Sequence, residues 1–396
     1  MKTILVCNAG STSLKFKLFR FPQKEAVYES KIERIGDGES IFYRKNNLTG
    51  AKKTERFPIP GYREGIGLFL AALTGEDGAL PSVSRIDAVG FKTVIAKGYG
   101  GVHLLNDDVL DGMREFLDIA PSHNGPYLDA IGLFREALPG VPLVGVFETA
   151  FHRTVTEEKT TYPLPLEWRE KYGLRRYGYH GASHGYIAGR IAELYGEKQK
   201  LISLHLGGSS SVCAIYDGKS VDTSFGFSLQ TGLPHASRSG DADVFTVPFL
   251  MRRGLKEEEI AAQIARNSGL KGLSGVSGDL RDVEAEIERG NGRAALALDV
   301  FVCSAVKYVG AFYTELQGLD LLVFTGGIGE NSALVREKIC EKLGVLGVKL
   351  STEKNRAPAE GERVVSEDGS AVSVLILPTN EEVVVAEKTY GLLYGD

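Results

Sequence analysis

The chain contains one short pattern twice, and this repeat limits the folds available to it more than any other feature. Residues 4–7 and 201–206 are apolar, strand-forming runs that stop abruptly at small residues. Each is followed by a turn rich in Gly and Ser and then by further strand-like sequence, a pattern that predicts a buried strand, a tight turn and an antiparallel return. Because the pattern recurs after about 200 residues, we expect duplicated domains with a ligand between them.

A third apolar run, residues 321–324, ends at a glycine cluster, and glycine is abundant overall at 48 of 396 residues. Clustered glycine indicates backbone that turns sharply or approaches another group closely. Asp217 and Gly218 lie between two strand-like segments and predict a hairpin. The spacing of apolar residues predicts helices over 62–73, 107–119, 127–138, 185–194, 255–265, 279–288, 294–316 and 333–343. This mixture is typical of an α/β protein, and we place the first domain at 1–149 plus 383–396 and the second at 150–382.

Composition excludes several classes of protein. Hydrophobic residues at 43% and charged residues at 24% are typical of a globular chain, and 46 basic against 51 acidic residues leave a net charge of −5, so we expect no nucleic-acid partner. The N-terminal apolar run is too short for a signal peptide. The apolar helix over 294–316 contains three charged residues, which argues against a membrane partner, and we expect a cytoplasmic protein. The four cysteines are far apart and are predicted to be buried thiols.

The turn after the first strand has groups that suit phosphate oxygens. Asn8, Ser11, Ser13 and Lys15 supply an amide, two hydroxyls and an ammonium, together with accessible backbone N–H groups. It is not a Walker A loop, whose spacing occurs nowhere in the chain. Taken alone, either turn is more often an ordinary hairpin than a phosphate site. Two such turns facing each other across a cleft would instead form a phosphate-binding site.

With these motifs in order, the chain resembles the acetate kinase family over nearly its whole length. The matching blocks are residues 8–15, 120–124, 146–152, 176–184, 205–207, 220–224, 238–241, 274–277, 279–283, 323–332 and 378–382. The resemblance implies two duplicated actin-like, sugar-kinase-like (ribonuclease H-like) domains with an interdomain active-site cleft. It also implies reversible in-line transfer of a phosphoryl group between ATP and acetate or a related small carboxylate, giving an acyl phosphate and ADP. A homodimer formed through the second domain is the expected assembly.

The same resemblance implies roles for individual residues. His180 and Arg238 would stabilise the transferring phosphoryl group, with Glu148 as a third catalytic residue, and Asn8 and Glu381 would hold Mg²⁺, partly through waters. The acceptor carboxylate would be bound by Lys92, Val94, Ser122, Tyr179 and Leu229. The nucleotide and its phosphates would contact Ser11, Ser13, Lys15, His205, Leu206, Gly207, Gly208, Ser209, Asp279, Leu280, Arg281, Gly327, Ile328, Gly329, Glu330 and Asn331. Asp279 is equally well explained as the cap of its helix.

The chain departs from the family pattern mainly on the acceptor side. Lys92 replaces an arginine, which substitutes a point charge for a bidentate fork, and Glu148 replaces an aspartate. Glu148 could serve the metal, position the acceptor or pair with Lys92. Ser122, Tyr179 and Leu229 replace leucine, phenylalanine and proline, from which we expect a larger or more polar acyl group than acetate. Gly208 replaces an asparagine and removes one hydrogen bond to the nucleotide, worth roughly 1 kcal/mol.

Two other functions compete with this interpretation. Residues 181–185 match the G-x-S-x-G elbow of serine hydrolases, with Ser183 as nucleophile and Asp222 and His235 following in the required order. That elbow must follow a buried strand, and the polar and aromatic residues 173–180 do not predict one. An inactive paralogue that only binds nucleotide would explain Lys92, Glu148 and Gly208, but it would have little use for His180.

Overall fold

The structure is a computed structural model that describes residues 1–395, and its strands form two separate sheets. The strands are β1 (Lys2–Gly10), β2 (Ser13–Phe21), β3 (Glu25–Glu33), β4 (Ser40–Asn46), β5 (Lys52–Phe57), β6 (Ala88–Phe91), β7 (Val102–Leu104), β8 (Leu143–Val146), β9 (Leu201–His205), β10 (Ser211–Tyr216), β11 (Lys219–Thr223), β12 (Leu321–Thr325), β13 (Arg363–Val364) and β14 (Ser373–Ile376). The helices are α1 (Tyr62–Thr74), α2 (Asp107–Glu115), α3 (Pro121–Ala137), α4 (Glu157–Thr160), α5 (Leu166–Tyr172), α6 (Gly181–Tyr195), α7 (Thr246–Met251), α8 (Glu257–Arg266), α9 (Gly269–Ser274), α10 (Leu280–Glu288), α11 (Gly292–Leu316), α12 (Gly326–Asn331), α13 (Ala333–Lys342), α14 (Thr352–Arg356) and α15 (Glu381–Tyr394).

The chain divides into two compact units. Unit 1 contains Met1–Ala150 and residues 380–395, and unit 2 contains Phe151–Thr379. The first boundary lies one residue from the predicted one, whereas the return to unit 1 comes at Asn380 rather than at 383. Asn380 and Glu381, which begin α15, therefore belong to unit 1.

Unit 1 is built on an eight-stranded sheet in the order β5-β4-β3-β2-β1-β6-β8-β7. β1 pairs antiparallel with β2 on one side and parallel with β6 on the other, and β6 pairs parallel with β8. β6, β8 and the middle of β1 are buried, and α15 and α3 pack against these strands. The central strands are therefore continuous apolar runs, as buried parallel strands require.

Unit 2 repeats this arrangement in a six-stranded sheet in the order β11-β10-β9-β12-β14-β13. β9 pairs antiparallel with β10 and parallel with β12, and β12 pairs parallel with β14. The sequence β3-β2-β1-β6-β8 of unit 1 thus corresponds strand for strand to β11-β10-β9-β12-β14. The predicted repeat and the duplicated actin-like fold are confirmed.

The predicted hairpin at Asp217 and Gly218 is also confirmed, since both have positive φ angles, 52° and 67°, and join β10 to β11. These angles match the tight turn that joins twisted antiparallel strands.

Several local predictions differ from the structure. Helix α2 ends at Glu115 rather than at 119, and α6 begins at Gly181 rather than at 185. α3 begins at Pro121 rather than at 127 and includes Pro126, because Asn124 ties this first part of the helix to the carbonyls of Ile95 and Met113, each at 3.0 Å. The glycine cluster after β12 forms the short helix α12 rather than a turn. Cys303, predicted to be buried, is exposed.

Helix α11 is long and apolar enough to cross a membrane by length and composition. Its buried side, which includes Leu298, Phe301 and Val309, belongs to the main hydrophobic core of unit 2 together with residues of β9 and β12. One face of α11 therefore packs in the core of unit 2, which accounts for the apolar residues on that face.

The turn from β12 into α12 depends on Gly326. This residue has a φ of +77°, and a Cβ placed on it would meet the carbonyl oxygen of Leu206 at 2.7 Å. That carbonyl accepts hydrogen bonds from the backbone N–H groups of Ile328 at 2.8 Å and Gly329 at 3.1 Å. Glycine at 326 therefore lets α12 dock directly against the end of β9.

We predict that Gly326→Ala destabilises unit 2 by about 1–3 kcal/mol, because it forces a side chain into strained backbone and against a carbonyl. Calorimetric melting of the variant should show a lower Tm. Gly327→Ala is the matched control, since a Cβ there meets nothing within 4 Å. Equal Tm values for the two variants would contradict the prediction.

Candidate active site

The parallel strands of unit 1 bring three predicted site residues to one edge of the sheet. Asn8 lies near the end of β1, Lys92 directly follows β6, and Glu148 lies two residues after β8. The segments after β6 and β8 are joined by a hydrogen bond from the Glu148 N–H to the Thr93 carbonyl at 2.8 Å. Residues far apart in sequence meet here because parallel neighbours end at the same edge.

Lys92 is bound between two carboxylates. Its ammonium group donates a short hydrogen bond to Glu381 Oε2 and lies 3.4 Å from Glu148 Oε1. Burial by itself would lower the pKa of Lys92, but the negative charges of Glu148 and Glu381 outweigh it and hold that pKa well above its ordinary value. Lys92 is therefore charged, and of the roles left open for Glu148, the structure shows its pairing with Lys92.

Asn8 is connected to this cluster through Tyr127 of α3. The buried Tyr127 hydroxyl donates to Asn8 Oδ1 at 2.9 Å, which fixes the orientation of the amide. Burial raises the pKa of Tyr127, and the charges of Lys92 and Glu148 also act on it. Tyr127 thus remains a neutral hydrogen-bond donor, and sequence reasoning missed it because an aromatic residue in a helix is normally core.

The other predicted residues of unit 1 vary in exposure. Ser11 and Lys15 are exposed, and Ser13 is half-buried at the start of β2. The Gly10 carbonyl in this turn accepts a short hydrogen bond from the Tyr62 hydroxyl. Val94 is buried, whereas Ser122 is exposed in the first turn of α3.

Unit 2 contains a cavity of about 750 Å³ formed by the three segments predicted to bind nucleotide. Its volume is within the usual range for ligand pockets, about 300–1,000 Å³. Of the predicted residues, those that line it are Gly207, Gly208, Asp279, Leu280, Arg281, Gly327, Ile328 and Asn331. A Cβ on Gly208 or Gly327 would meet nothing within 4 Å, so both face open space.

The remaining predicted nucleotide residues of unit 2 lie beside this cavity rather than on its wall. They are His205, Leu206, Ser209, Gly329 and Glu330. Leu206 is fully buried, and its carbonyl fastens α12, as described above. Glu330 accepts a hydrogen bond from the Gly326 N–H at 2.9 Å, so it stabilises the same turn.

Three residues of the cavity wall were not predicted, namely Gly278, Glu284 and Ser332. Glu284 accepts a hydrogen bond from the Ser332 hydroxyl at 2.5 Å, which joins α10 to the start of α13. A sequence signal existed for Gly278, which directly precedes Asp279. None existed for the pairing of Glu284 with Ser332, which are 48 residues apart.

Asp279 is the N-cap of α10, the structural alternative to nucleotide binding given above. It caps α10 by accepting from the Arg281 N–H at 2.9 Å, and its carboxylate binds the Arg281 side chain at 2.5 Å. The hydrogen bonds from Arg281 lower the pKa of Asp279 to about 2. Since the Arg281 side chain is 88% exposed, it can still reorient toward a ligand in the cavity.

His180 precedes α6 in a left-handed conformation, with a φ of 57°. Its Nδ1 is hydrogen-bonded to Ser211 Oγ at 2.8 Å, and its ring lies against that of His205 with 4.1 Å between centroids. Ser211 Oγ also bonds His184 Nε2 at 2.8 Å, and His184 Nδ1 bonds Ser203 Oγ at 3.0 Å. Burial holds the pKa of His184 well below its ordinary value, so a neutral imidazole and two hydroxyls orient His180.

Arg238 lies in a separate loop of unit 2. Its guanidinium donates to the Leu229 carbonyl at 2.6 Å, and burial lowers the pKa of Arg238 to about 10, which leaves it cationic at neutral pH. Tyr179 is fully buried, and its hydroxyl donates to the Phe227 carbonyl at 2.6 Å. The Tyr179 hydroxyl is therefore already engaged, which weakens one of the two arguments for a more polar acyl group.

The hydrolase interpretation is wrong. The residues before Ser183 form no strand, and Ser183 lies in the first turn of α6. Its hydroxyl is paired with His205 Nδ1 at 2.8 Å rather than with His235, whose Nδ1 accepts from the Ser210 N–H at 2.9 Å. The buried strand that the nucleophile elbow requires is missing among the described residues.

The donor atoms at Asn8 and Glu381 fit Mg²⁺ by their chemistry. Both supply oxygen, the ligand that this ion prefers, and Mg²⁺ usually takes only one or two protein carboxylates together with phosphates and waters. Within residues 1–395, no group of three or more His, Cys, Asp or Glu side chains is placed to hold a metal unaided. Asn8 and Glu381 could therefore supply only part of the coordination of Mg²⁺, which leaves positions for phosphate oxygens and waters.

Comparison with known proteins agrees with these features. The model of the Acetokinase family matches residues 3–387. A relative from Shouchella clausii named acetate kinase is 41% identical to this chain, over 99% of this chain and all of the relative. A second relative of the same name, from Dictyoglomus thermophilum, is 42% identical over 98% of each chain.

Two solved structures have the same fold. The acetate kinase of Porphyromonas gingivalis is 35% identical with a TM-score of 0.88, over 99% of this chain and all of that one. The propionate kinase of Francisella tularensis is 31% identical with a TM-score of 0.90, over 98% and 99% of the two chains. None of these comparisons gives a sign of an inactive paralogue. The chain belongs to the acetokinase family and is a phosphotransferase that uses ATP and a carboxyl acceptor.

Proposed function

We propose that this chain catalyses Mg²⁺-dependent, reversible phosphoryl transfer between ATP and acetate or a related short-chain carboxylate, giving an acyl phosphate and ADP. The observation that supports this most directly is the cavity of about 750 Å³ in unit 2, because three separate predicted nucleotide segments form its wall. The names of the relatives, acetate kinase and propionate kinase, agree with a small aliphatic acceptor.

On the donor side, the turn after β9 would hold the phosphates and the α10 and α12 residues would hold the nucleoside. Gly207 and Gly208 expose backbone next to open space, which lets phosphate oxygens approach N–H groups closely. Arg281 would turn from Asp279 toward the nucleotide. Ser11, Ser13 and Lys15 of unit 1 would supply further hydroxyl and ammonium contacts to the phosphates.

The chemical step needs positioning and cancellation of charge on the transferring phosphoryl group rather than covalent catalysis. His180 would donate a hydrogen bond through Nε2, since its Nδ1 is held by Ser211. Arg238 would add a positive charge. Because Arg238 is partly buried and water is excluded there, its attraction to the phosphoryl oxygens would be stronger than in water.

The acceptor and metal groups lie in unit 1. Asn8 and Glu381 would hold Mg²⁺, partly through waters, and the bound ion would neutralise negative charge on the nucleotide phosphates. Lys92 would bind the acceptor carboxylate and Glu148 would hold Lys92 in place. Val94 and Ser122, with Tyr179 and Leu229 of unit 2, would contact the acyl group. We further propose that the protein is cytoplasmic and that it forms a homodimer, the assembly that the family resemblance implies.

A hydroxamate assay with ATP, Mg²⁺ and a panel of short carboxylates tests this function. We expect acyl phosphate from acetate or from a close relative such as propionate. A preference for a hydroxylated acid would support the more polar acyl group that Ser122 suggests. Absence of acyl phosphate with every acid, from protein that binds ATP, would indicate an inactive paralogue.

We predict that His180→Asn lowers kcat by roughly 10²–10³-fold with little change in KM for ATP, because it removes a donor to the transition state. Asparagine tolerates the left-handed backbone of this position and retains a polar atom for Ser211. The variant should therefore keep the wild-type Tm. A kcat near that of wild type would exclude the proposed role of His180.

We predict that Gly208→Asn tightens ADP binding about fivefold, the equivalent of one added hydrogen bond of roughly 1 kcal/mol. The position has room, since a Cβ meets nothing within 4 Å. Titration calorimetry with ADP measures the change. Gly218→Asn, in the β10–β11 hairpin turn, is the matched control and should bind as wild type does; an equal Kd for all three proteins would refute the prediction.

A further inference from the structure

The ion cluster of Lys92, Glu148 and Glu381 suggests more than a fixed carboxylate-binding site. Exposed fractions of the three side chains are 20%, 6% and 15%, so all three charges are largely removed from water. Their sum is −1. The groups come from the segment after β6, the segment after β8 and the first residue of α15.

In this arrangement the lysine occupies one of the two carboxylate oxygens of Glu381. The Lys92 ammonium donates to Glu381 Oε2, and Glu381 is the carboxylate proposed to hold Mg²⁺. An ammonium and a divalent cation that share one carboxylate repel each other strongly at such short range. Engagement of Glu381 by the metal therefore disfavours the Lys92–Glu381 contact.

The same contact also occupies the group proposed to bind the acceptor. An ammonium that is already paired with two glutamates has less attraction left for a substrate carboxylate. Lysine is suited to exchange partners, because its charge is compact and its four-carbon stem is flexible. Contact with Glu148 can hold Lys92 at the site while its bond to Glu381 is given up.

We propose that Lys92 is a movable internal counter-ion that neutralises Glu381 until a divalent cation replaces it, and that its release from Glu381 prepares it to bind the acceptor carboxylate. This inference rests on the proposed function. It makes metal and carboxylate binding cooperative, and the cooperativity must be reciprocal, since each ligand changes the affinity of the other by the same factor.

Displacement of Lys92 can be tested without nucleotide or catalysis. Binding of Mn²⁺ to the full chain is measured from the electron paramagnetic resonance signal of the free ion. We expect Lys92→Met to bind Mn²⁺ at least about fivefold more tightly than wild type, the lower end of typical coupling between sites, because both glutamates lose their internal cation. Equal or weaker Mn²⁺ binding by the variant would overturn the proposal.

Lys97→Met is the matched control. Lys97 also follows β6 in unit 1, and it pairs with Glu115 at 2.6 Å on the surface, so its variant should bind Mn²⁺ as wild type does. If Lys92→Met does not fold, Lys92→Gln makes the same test, since its amide can still donate to the glutamates without a charge.

Cooperativity is tested by calorimetry with the acid that gives most acyl phosphate in the hydroxamate assay. We expect Mg²⁺ to tighten the binding of this acid to wild type. Without metal, Glu381→Gln should bind the acid more tightly than wild type does, and adding Mg²⁺ should leave the affinity of this variant unchanged. Acid binding by wild type that does not respond to Mg²⁺ refutes the coupling even when acyl phosphate is formed. Conversely, Lys92→Met could bind Mn²⁺ more tightly while wild type forms no acyl phosphate from any acid. That result would support Lys92 as a counter-ion and would reject the proposed function.

Discussion

Parallel pairing of the central strands is the constraint on which the rest of this structure depends. In unit 1, β1, β6 and β8 run side by side, and in unit 2, β9, β12 and β14 do the same. Because parallel strands end at one edge of a sheet, each set delivers polar segments from distant parts of the chain to one place. The cavity of unit 2 takes the segments after β9 and β12 from this edge, and the ion cluster of unit 1 takes Lys92 and Glu148 from it.

The two units use that edge for different chemistry. In unit 2 the wall includes Gly207, Gly208, Gly278 and Gly327, which permit close approach by a ligand, and α12 is docked there by hydrogen bonds to Leu206. In unit 1 the edge holds buried charge, and an ammonium lies between two carboxylates. Buried charges require partners, and the compact ammonium of Lys92 is held here by both carboxylates at once.

Features that depend on residues close together in the sequence were predicted well, and features that depend on tertiary contacts were not. The repeated strand, turn and return, the hairpin at Asp217 and the helix over Gly292–Leu316 were predictable, because periodicity and turn residues act locally. The early start of α3 was not predictable from the sequence. Pro126 argues locally against a helix there, whereas the hydrogen bonds that anchor this part of α3 run from Asn124 to distant carbonyls. Ser183 fits a local hydrolase motif, but the motif requires a strand that the fold does not place before it.

By itself, the sequence determined the duplicated domain type, the hairpin at Asp217 and which residues are candidates for the site, because these depend on local backbone preference and on motif order. Only the tertiary structure decided which charges meet. Lys92 and Glu381 are 289 residues apart, and no local pattern relates them. Their contact exists because α15 returns to the first sheet and begins beside the end of β6, and the cost of burying an unpaired charge then selects the pairing.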